Sequence, residues 1–374
     1  MLKILHTADW HVGRPFGQFE PEDARKLTRD RLSVIDTILG LAHQYNVDAI
    51  LCAGDLFDRP DPAEVWWRGL ADSFGRRKTW TRPVVLLPGN HDPLTRDSVY
   101  NKNHPFRRAL PEWVQVVDRE DFQLELSHDA VVYAAPCTST AGDKDLALSL
   151  PLRGERDTRV RIGLVHGSTF DIPGYATNFP ISEDAPQSRG LDYLALGDTH
   201  SFREIPKGAV APIVYPSTPE PTSFNEQDAG YVALVWFTRH GSRPEIQRER
   251  VAHWTWREVT VCSMVELRAL AVEDLVSTVL RLKLNLAISL SELREVEGIL
   301  SSFRGTEATS ARTGAFLCEP SDPSNLVVDP GDIDVQGLPD SVRGTVARLS
   351  EEAKNDQAAK RALIILQRLL LEVR

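Results

Sequence analysis

Five short polar clusters carry residue types that could bind metal, and each stands where an apolar run ends. They are Asp9-Trp10-His11, Gly54-Asp55, Gly89-Asn90-His91-Asp92, His166-Gly167 and Gly197-Asp198-Thr199-His200. The preceding runs are Ile4-Leu5, Ala49 to Leu51, Val84 to Leu87, Ile162 to Val165 and Leu194 to Leu196. In an α/β sheet, polar groups at the carboxyl ends of neighbouring strands face one crevice. Aspartate, asparagine and histidine together form a hard-to-borderline donor set suited to Mn²⁺, Fe²⁺ or Zn²⁺, with Mg²⁺ also possible. The pattern is that of a two-metal hydrolase.

A carboxylate can lend one oxygen to each of two cations about 3.5–4 Å apart. Asp55, at a tight Gly-Asp turn, is the candidate bridge. Asp9 and His11 can turn toward one ion, with His200 completing it, while Asn90, His166 and Asp198 hold the other. Such a pair ionises a bridging water to hydroxide near neutral pH and clamps phosphate oxygens during in-line displacement. His91 follows Asn90 directly and can protonate a leaving oxygen or stabilise developing charge, with Asp92 able to orient it. His6 lies within the first strand and reads as packing or support for the ligands. Arg14 and His104 lie near enough to these clusters to be candidate substrate contacts, although the plainer reading of His104 is structural. Trp66-Trp67 and Trp254-x-Trp256 read as core aromatics before base-stacking platforms.

Bulk properties narrow the classes. The 374 residues are 42% hydrophobic and 26% charged, ordinary values for a globular chain with a sizeable core. No apolar run approaches the ~20 residues that span a bilayer, so no membrane association is expected. Met1 to His6 reads as a first core strand and not as a signal peptide. The four cysteines are scattered, which fits a reduced, cytoplasmic setting. A net charge of −10 argues against indiscriminate nucleic-acid binding, although bound metal would offset part of it.

The elements that must position the clusters follow from periodicity. Residues 1 to about 240 alternate strands and helices. One helix opens at Pro21 with apolar positions Leu27, Leu32, Ile35, Ile38, Leu39 and Ala42. A second is expected with Asp61 as N-cap and Pro62 at the first helical position. After His200, strands at 210–215 and 231–237 lack intervening helices, so the sheet is expected to be mixed. A helix at 264–271, a strand at 278–288 and a helix at 290–303 suggest a small second domain. A Pro/Gly/Asp-rich linker precedes a helical tail at 341–374, whose leucines surround too much of the helix for a free surface. The expected division is 1–250 for the catalytic domain, 251–320 for a capping, DNA-binding domain, 321–340 for the linker and 341–374 for the tail.

Taken in order, D-x-H, GD, GNHD, H and G-x-x-H resemble the calcineurin-like metallophosphoesterase superfamily. The segments LHTADWHVGRPF, AGDLFDRPDP, LPGNHD and YPSTPEPTSFNE are similar to one branch, the SbcD-type DNA repair exonucleases. The resemblance covers roughly residues 1–320. It implies a β-sandwich of two mixed sheets flanked by helices, with a small α+β cap and a helical tail. It also implies that Asp9, His11, Asp55 and His200 bind one metal, and Asp55, Asn90, His166 and Asp198 the other. His91 would be the catalytic histidine. Asp58, in GDLFD, matches a position that can be histidine in relatives and is either a catalytic or positioning group or a loop-stabilising carboxylate. The implied activity is 3′-to-5′ exonuclease action on duplex ends and endonuclease action on single strands or hairpins, in double-strand-break repair. Implied partners are DNA, an SbcC-type SMC-like coiled-coil ATPase docked on the C-terminal helices, and a second copy of the chain. One departure stands out: the family usually has G-H-x-H where this chain has Gly197-Asp198-Thr199-His200. An added oxygen donor would favour Mn²⁺ or Mg²⁺. Other readings are a phosphodiesterase of the same superfamily acting on a small nucleotide or phosphoprotein, and a metal-poor scaffold for DNA or an ATPase.

Overall fold

The structure, a computed structural model, describes residues 1–169, 177–288, 290–305, 310–321, 327–328 and 338–372. The chain forms two compact units, Met1–Trp254 and Thr255–Arg374.

The first unit begins with β1 (Leu2–Thr7), α1 (Pro21–Tyr45), β2 (Ala49–Cys52), α2 (Glu64–Gly75), β3 (Val84–Leu86), α3 (Pro105–Ala109) and β4 (Val114–Val116). There follow β5 (Phe122–Ser127), β6 (Ala130–Ala134), β7 (Val160–His166), α4 (Ala185–Arg189), β8 (Tyr193–Gly197), β9 (Arg203–Ile205), β10 (Ile213–Tyr215), β11 (Tyr231–Phe237) and β12 (Glu245–Arg250). One six-stranded sheet runs β12-β11-β1-β2-β3-β4 and the other β5-β6-β7-β8-β10-β9. In the first, β1 to β4 are parallel, and β11 and β12 add antiparallel edges. In the second, β6, β7, β8 and β10 are parallel between antiparallel β5 and β9. This is the two-sheet mixed architecture expected from the sequence.

Strand periodicity builds the layers, because successive side chains point to opposite faces. Ile4, Leu51 and Val85 of the first sheet meet Val132, Leu164 and Ala195 of the second in the core between the sheets. Their neighbours Leu5, Ile50 and Val84 face outward against Ile35, Ile38, Leu70 and Phe74 of α1 and α2. The outer face of the second sheet buries Tyr133, Leu194 and Leu196 against Leu150, Phe179 and Ile181. The parallel strands all deliver their carboxyl ends to one side, where the polar clusters lie.

Two expected boundaries move. The second helix starts at Glu64 with Ala63 at the N-cap. Asp61 sits outside it with its carboxylate toward Arg59 at 3.5 Å, so it caps nothing. The strand expected at 278–288 is β14 (Leu275–Leu284), which ends before the two-residue β15 (Ala287–Ile288).

In the second unit β14 lies between β13 (Thr255–Val261) and β16 (Thr313–Glu319), all parallel. Helices α5 (Met264–Ala271) and α6 (Leu290–Arg304) supply Leu267, Val296 and Phe303 to a core with Leu280, Leu282 and Phe316. β15 pairs with β17 (Val327–Val328). Most of the linker expected at 321–340, namely 322–326 and 329–337, lies outside the described residues. In the tail, α7 (Asp340–Glu352) and α8 (Gln357–Glu372) bury Val346, Ala353, Ala359 and Leu363 against each other. No helix among the described residues is long and apolar enough to cross a membrane. Cys52, Cys137 and Cys318 are buried and Cys262 is exposed, all as free thiols.

His6 occupies the core between the sheets, with Nδ1 3.0 Å from the Tyr193 hydroxyl. Burial lowers its pKa from 6.5 to about 3, against a smaller opposing effect of the Leu196 backbone. The neutral ring is therefore the form that folds. Its stabilisation is complete above pH 6.5 and is lost as the pH falls toward 3, because the unfolded chain takes up the proton first. In metal-free protein, we predict that stability falls more steeply from pH 6.5 to 4 than in a His6→Asn variant. The difference should reach about 1.4 kcal/mol per pH unit in urea titrations. Parallel slopes would refute the assignment.

Candidate dinuclear metal centre

The loops after β1 and β2 continue the strands' pairing past their ends. Asp9 N–H donates to Gly54 O at 3.0 Å, His11 N–H to Asp55 O at 2.9 Å and Val12 N–H to Leu56 O at 2.8 Å. This lateral bonding holds unusual backbone. Asp9 (φ 56°), His11 (φ 42°), Asp55 (φ 54°) and Asp198 (φ 92°) are all left-handed, at a cost of about 1–3 kcal/mol each. Four of the seven expected ligands are therefore held in a conformation that L-residues avoid. The glycines permit the approach: a Cβ on Gly89 would lie 2.1 Å from Asp55 Oδ1, and one on Gly54 2.3 Å from His166 Nδ1.

The side chains converge. His11 Nε2 lies 3.0 Å from His200 Nε2 and 3.8 Å from Asp55 Oδ2. His166 Nε2 lies 2.8 Å from Asn90 Oδ1, 3.5 Å from Asp55 Oδ2 and 3.9 Å from Asp198 Oδ1. Asp9, His11 and His200 form one group with ligand atoms within 4.8 Å of one another, and Asp9, Asp55 and His166 form another. Asp9 belongs to both groups, Asp55 Oδ2 lies within 4 Å of His11 and His166, and His11, Asp58 and His91 form a third group.

The tautomers test whether cations fit. Carbonyls and carboxylates only accept. His166 Nδ1, 2.8 Å from Ala53 O, must therefore carry a hydrogen, as must His200 Nδ1, 2.7 Å from Glu226 Oε1. Their Nε2 atoms face Asn90 Oδ1 at 2.8 Å and His11 Nε2 at 3.0 Å. Asp9 Oδ2 is buried with no hydrogen-bond partner, while its Oδ1 accepts from Asp198 N–H at 3.0 Å. A buried carboxylate oxygen without a donor is costly. Divalent ions held among these carboxylates and imidazoles would satisfy it, so the donors fit a dinuclear site.

Without ions, the ligands' protonation equilibria strain against each other. Burial, with Asp55 adding, raises Asp9 to about 6 while His200 and His166 oppose it. Burial also raises Asp198, and it lowers His11 well below the usual range with help from His200, Arg31, His91 and Arg14. Burial would lower His166 too, but the carboxylates of Asp55, Asp9 and Asp198 outweigh it and hold the ring at about 9. The site attracts positive charge.

His91 stands beside this cluster, its ring 4.8 Å from that of His11. Its backbone N–H donates to Asp55 Oδ1 at 2.9 Å, and Nδ1 is 3.1 Å from Asp58 O. Asp92 does not orient it. The Asp92 carboxylate turns inward to accept from Phe57 N–H and Gly89 N–H, both at 2.9 Å, and from the Tyr100 hydroxyl at 2.5 Å. Three donors in a buried loop outcompete a half-buried imidazole. Asp58 Oδ1 accepts from Arg14 Nη1 at 3.0 Å and lies 3.4 Å from His11 Nδ1, so Asp58 and Arg14 border the cluster. His104 instead accepts from Phe106 N–H as the cap of α3, and its ring meets Trp67 edge-on. Trp67 and Trp254 are buried core residues.

Two residues escape a motif-led reading. Glu226 holds His200, and its position within the TSFNE segment is the available signal. Arg31 is fully buried on the apolar stripe of α1, where a lone charge between Leu27 and Ile35 is the signal. Its Nε donates to Trp10 O at 3.0 Å, Nη1 to Glu220 O at 2.6 Å and Nη2 to Thr218 Oγ1 at 3.0 Å, with Asp9 O at 3.3 Å. Burial lowers its pKa only to about 10, so the charge persists at neutral pH.

This fold and ligand set define a phosphoesterase. The chain belongs to the calcineurin-like phosphoesterase family, whose model matches residues 2–202. It is 28% identical over 284 residues to the uncharacterized metallophosphoesterase YhaO of Bacillus subtilis, covering 73% of this chain and 67% of that protein. It is 27% identical over 274 residues to the SbcD component of the nuclease SbcCD of Escherichia coli K12, covering 63% of this chain and 65% of that one. The chain thus spans about two thirds of the length of these relatives. The SbcD component of the Bacillus subtilis nuclease SbcCD matches at 33% over 95 residues, 24% of this chain and 22% of that one.

Arg31→Met would strand several buried acceptors that now share one guanidinium, each worth about 1–3 kcal/mol when left unpaired. We predict a loss of at least about 3 kcal/mol in urea unfolding of the metal-free protein. A loss below about 1 kcal/mol would mean that the loops hold themselves without it.

Proposed function

We propose that the protein is a two-metal phosphodiesterase that cuts DNA, with Mn²⁺ as the working ion. The observation that carries this reading is the focus of imidazole and carboxylate lone pairs around Asp55, with His91 standing beside it. Asp9, His11, Asp55 and His200 would hold one ion, and Asp55, Asn90, His166 and Asp198 the other. Divalent ions held there would supply Lewis-acid polarisation of the phosphodiester and a water ionised near neutral pH. With Nδ1 occupied by the Asp58 carbonyl, His91 is left Nε2 with which to donate a proton to the leaving oxygen. Arg14, anchored by Asp58, offers its remaining N–H groups to a phosphate. Asp198 makes the second donor set richer in oxygen than the family's usual histidine would, which favours Mn²⁺ or Mg²⁺.

Similarity to the SbcD component of SbcCD supports DNA as substrate, through 3′-to-5′ exonuclease action on duplex ends and endonuclease action on hairpins, within double-strand-break repair in the cytoplasm. An SbcC-type ATPase docks on the C-terminal helices, where Ile365 and Leu369 are 56% and 53% exposed on α8. The chain pairs with a second copy near α1 and α2, where Val65 is exposed. The 251–320 segment acts as the DNA-binding cap.

The test is a Mn²⁺-supplemented assay on end-labelled duplex and hairpin DNA, with His91→Ala alongside. We predict cleavage by the parent and a loss of about 10²–10⁴-fold in the variant. Intact DNA beside a hydrolysed chromogenic phosphodiester would transfer the assignment to a small substrate. In the same assay, Asp198→His should narrow the advantage of Mn²⁺ over Zn²⁺ in supporting activity. An unchanged ratio would separate this donor from metal choice.

A further inference from the structure

Of the four histidines at the site, only His200 has a carboxylate at full hydrogen-bond distance behind it. His166 and His91 rest on the backbone carbonyls of Ala53 and Asp58, and His11 Nδ1 is 3.4 Å from the Asp58 carboxylate. Glu226 Oε1 is 2.7 Å from His200 Nδ1. The Glu226 carboxylate is itself fixed: Oε2 accepts from Thr222 N–H at 2.7 Å, and the Thr222 hydroxyl donates to Oε1. Its side chain is 11% exposed. It touches no other expected ligand among the described contacts, so its only route to the site is through the His200 ring.

The same stretch of chain is braced from a second direction. Arg31 bonds the carbonyls of Glu220 and Pro221 and also those of Asp9, Trp10 and His11. Thr218 Oγ1 donates to Asp9 O at 2.8 Å. The loop carrying Glu226 and the loop carrying Asp9 and His11 are thus one bonded assembly. In the other donor set the one imidazole, His166, leans on a neutral carbonyl. Hydrogen bonds to a charged acceptor are roughly twice as strong as neutral ones, and a carboxylate behind a ligating imidazole fixes the ring and strengthens its donor atom.

We propose that Glu226 is a positioning residue that presents His200 Nε2 to a divalent ion, making the position built from Asp9, His11 and His200 the tighter of the two. This rests on the two-metal reading above. Removing such a partner typically weakens metal affinity about 10–100-fold.

The experiment is Mn²⁺ titration by calorimetry on the full chain stripped of metal, with melting of the metal-free form recorded in parallel. The parent should show two unequal binding events. Glu226→Ala should weaken the tighter one at least about tenfold and leave the weaker one within about threefold. Glu226→Gln, which keeps the shape and one accepting oxygen, should fall between, and it keeps the test available should the alanine variant fail to fold. Melting of the metal-free glutamine variant should stay within a few degrees of the parent, since a positioning role acts only through the ion. Unchanged affinities, weakening confined to the weaker event, or equal weakening of both with a collapsed melting point would each overturn the inference. A parent that binds no Mn²⁺ would remove the two-metal reading and this inference with it, whereas two events insensitive to Glu226 would remove the inference alone.

Discussion

The whole first unit is organised around one electrostatic constraint: ionisable carboxylates and imidazoles are crowded into a buried place within about hydrogen-bond distance of one another. His11 Nε2 and His200 Nε2 are 3.0 Å apart, and Asp9 Oδ2 has no partner. A buried acceptor without a donor costs a few kcal/mol, and four left-handed backbones add to that. Such an arrangement persists only because the surroundings allow no alternative. The extended ladder between the β1 and β2 loops, the Arg31 clamp and the Asp92 carboxylate each remove a way for a loop to relax. The core supplies rigidity, the loops concentrate the strain, and the chemistry follows from the charge that the strain invites.

Much of this is legible in the sequence because the ligands are local. Each cluster directly follows a strand, so the period-2 apolar run and the polar residues after it identify both the strand and the group at its end. The stripe of α1 is legible for the same reason, and so are α5 and α6. What escapes is contact between distant segments. Glu226 lies in a loop and meets His200 across a chain reversal that no spacing rule describes. Arg31 is visible only as an oddity on an apolar face, and its five carbonyl partners come from two separate loops. Asp92 shows the limit in the other direction: adjacency to His91 suggests a pair, but the backbone turns the carboxylate to the opposite side, where Phe57, Gly89 and Tyr100 wait. The start of α2 moves for a comparable reason, since Asp61 meets Arg59 instead of a helix amide. Strands β4 to β6 are followed by none of the Asp-x-His, Gly-Asp or Gly-Asn-His-Asp motifs, so reasoning led by chemistry passes over them.

The two units differ in how they achieve stability. In the first, two sheets and the helices outside them give three apolar layers, so site residues can be buried without starving the core. In the second, a three-stranded parallel sheet packs α5 and α6 on a single cluster, while α7 and α8 bury a small set of alanines, valines and leucines between themselves. Family membership rests on residues 2–202, and the ligands that define the chemistry all fall within that range.

The candidate ligands do not come from one sheet. Asp9, His11, Asp55 and Asn90 follow strands of the first sheet, while His166, Asp198 and His200 follow strands of the second. A divalent ion gripped from both sides would therefore be a non-covalent cross-link, tying residue 9 to residue 200 much as a disulfide joins distant cysteines. Closing so long a loop in the native state alone, with ligands scattered in the unfolded chain, converts affinity for the ion directly into resistance to unfolding. The sandwich and its cofactor would then share one fate: whatever strips the ions also unbuttons the two sheets at the end where they meet.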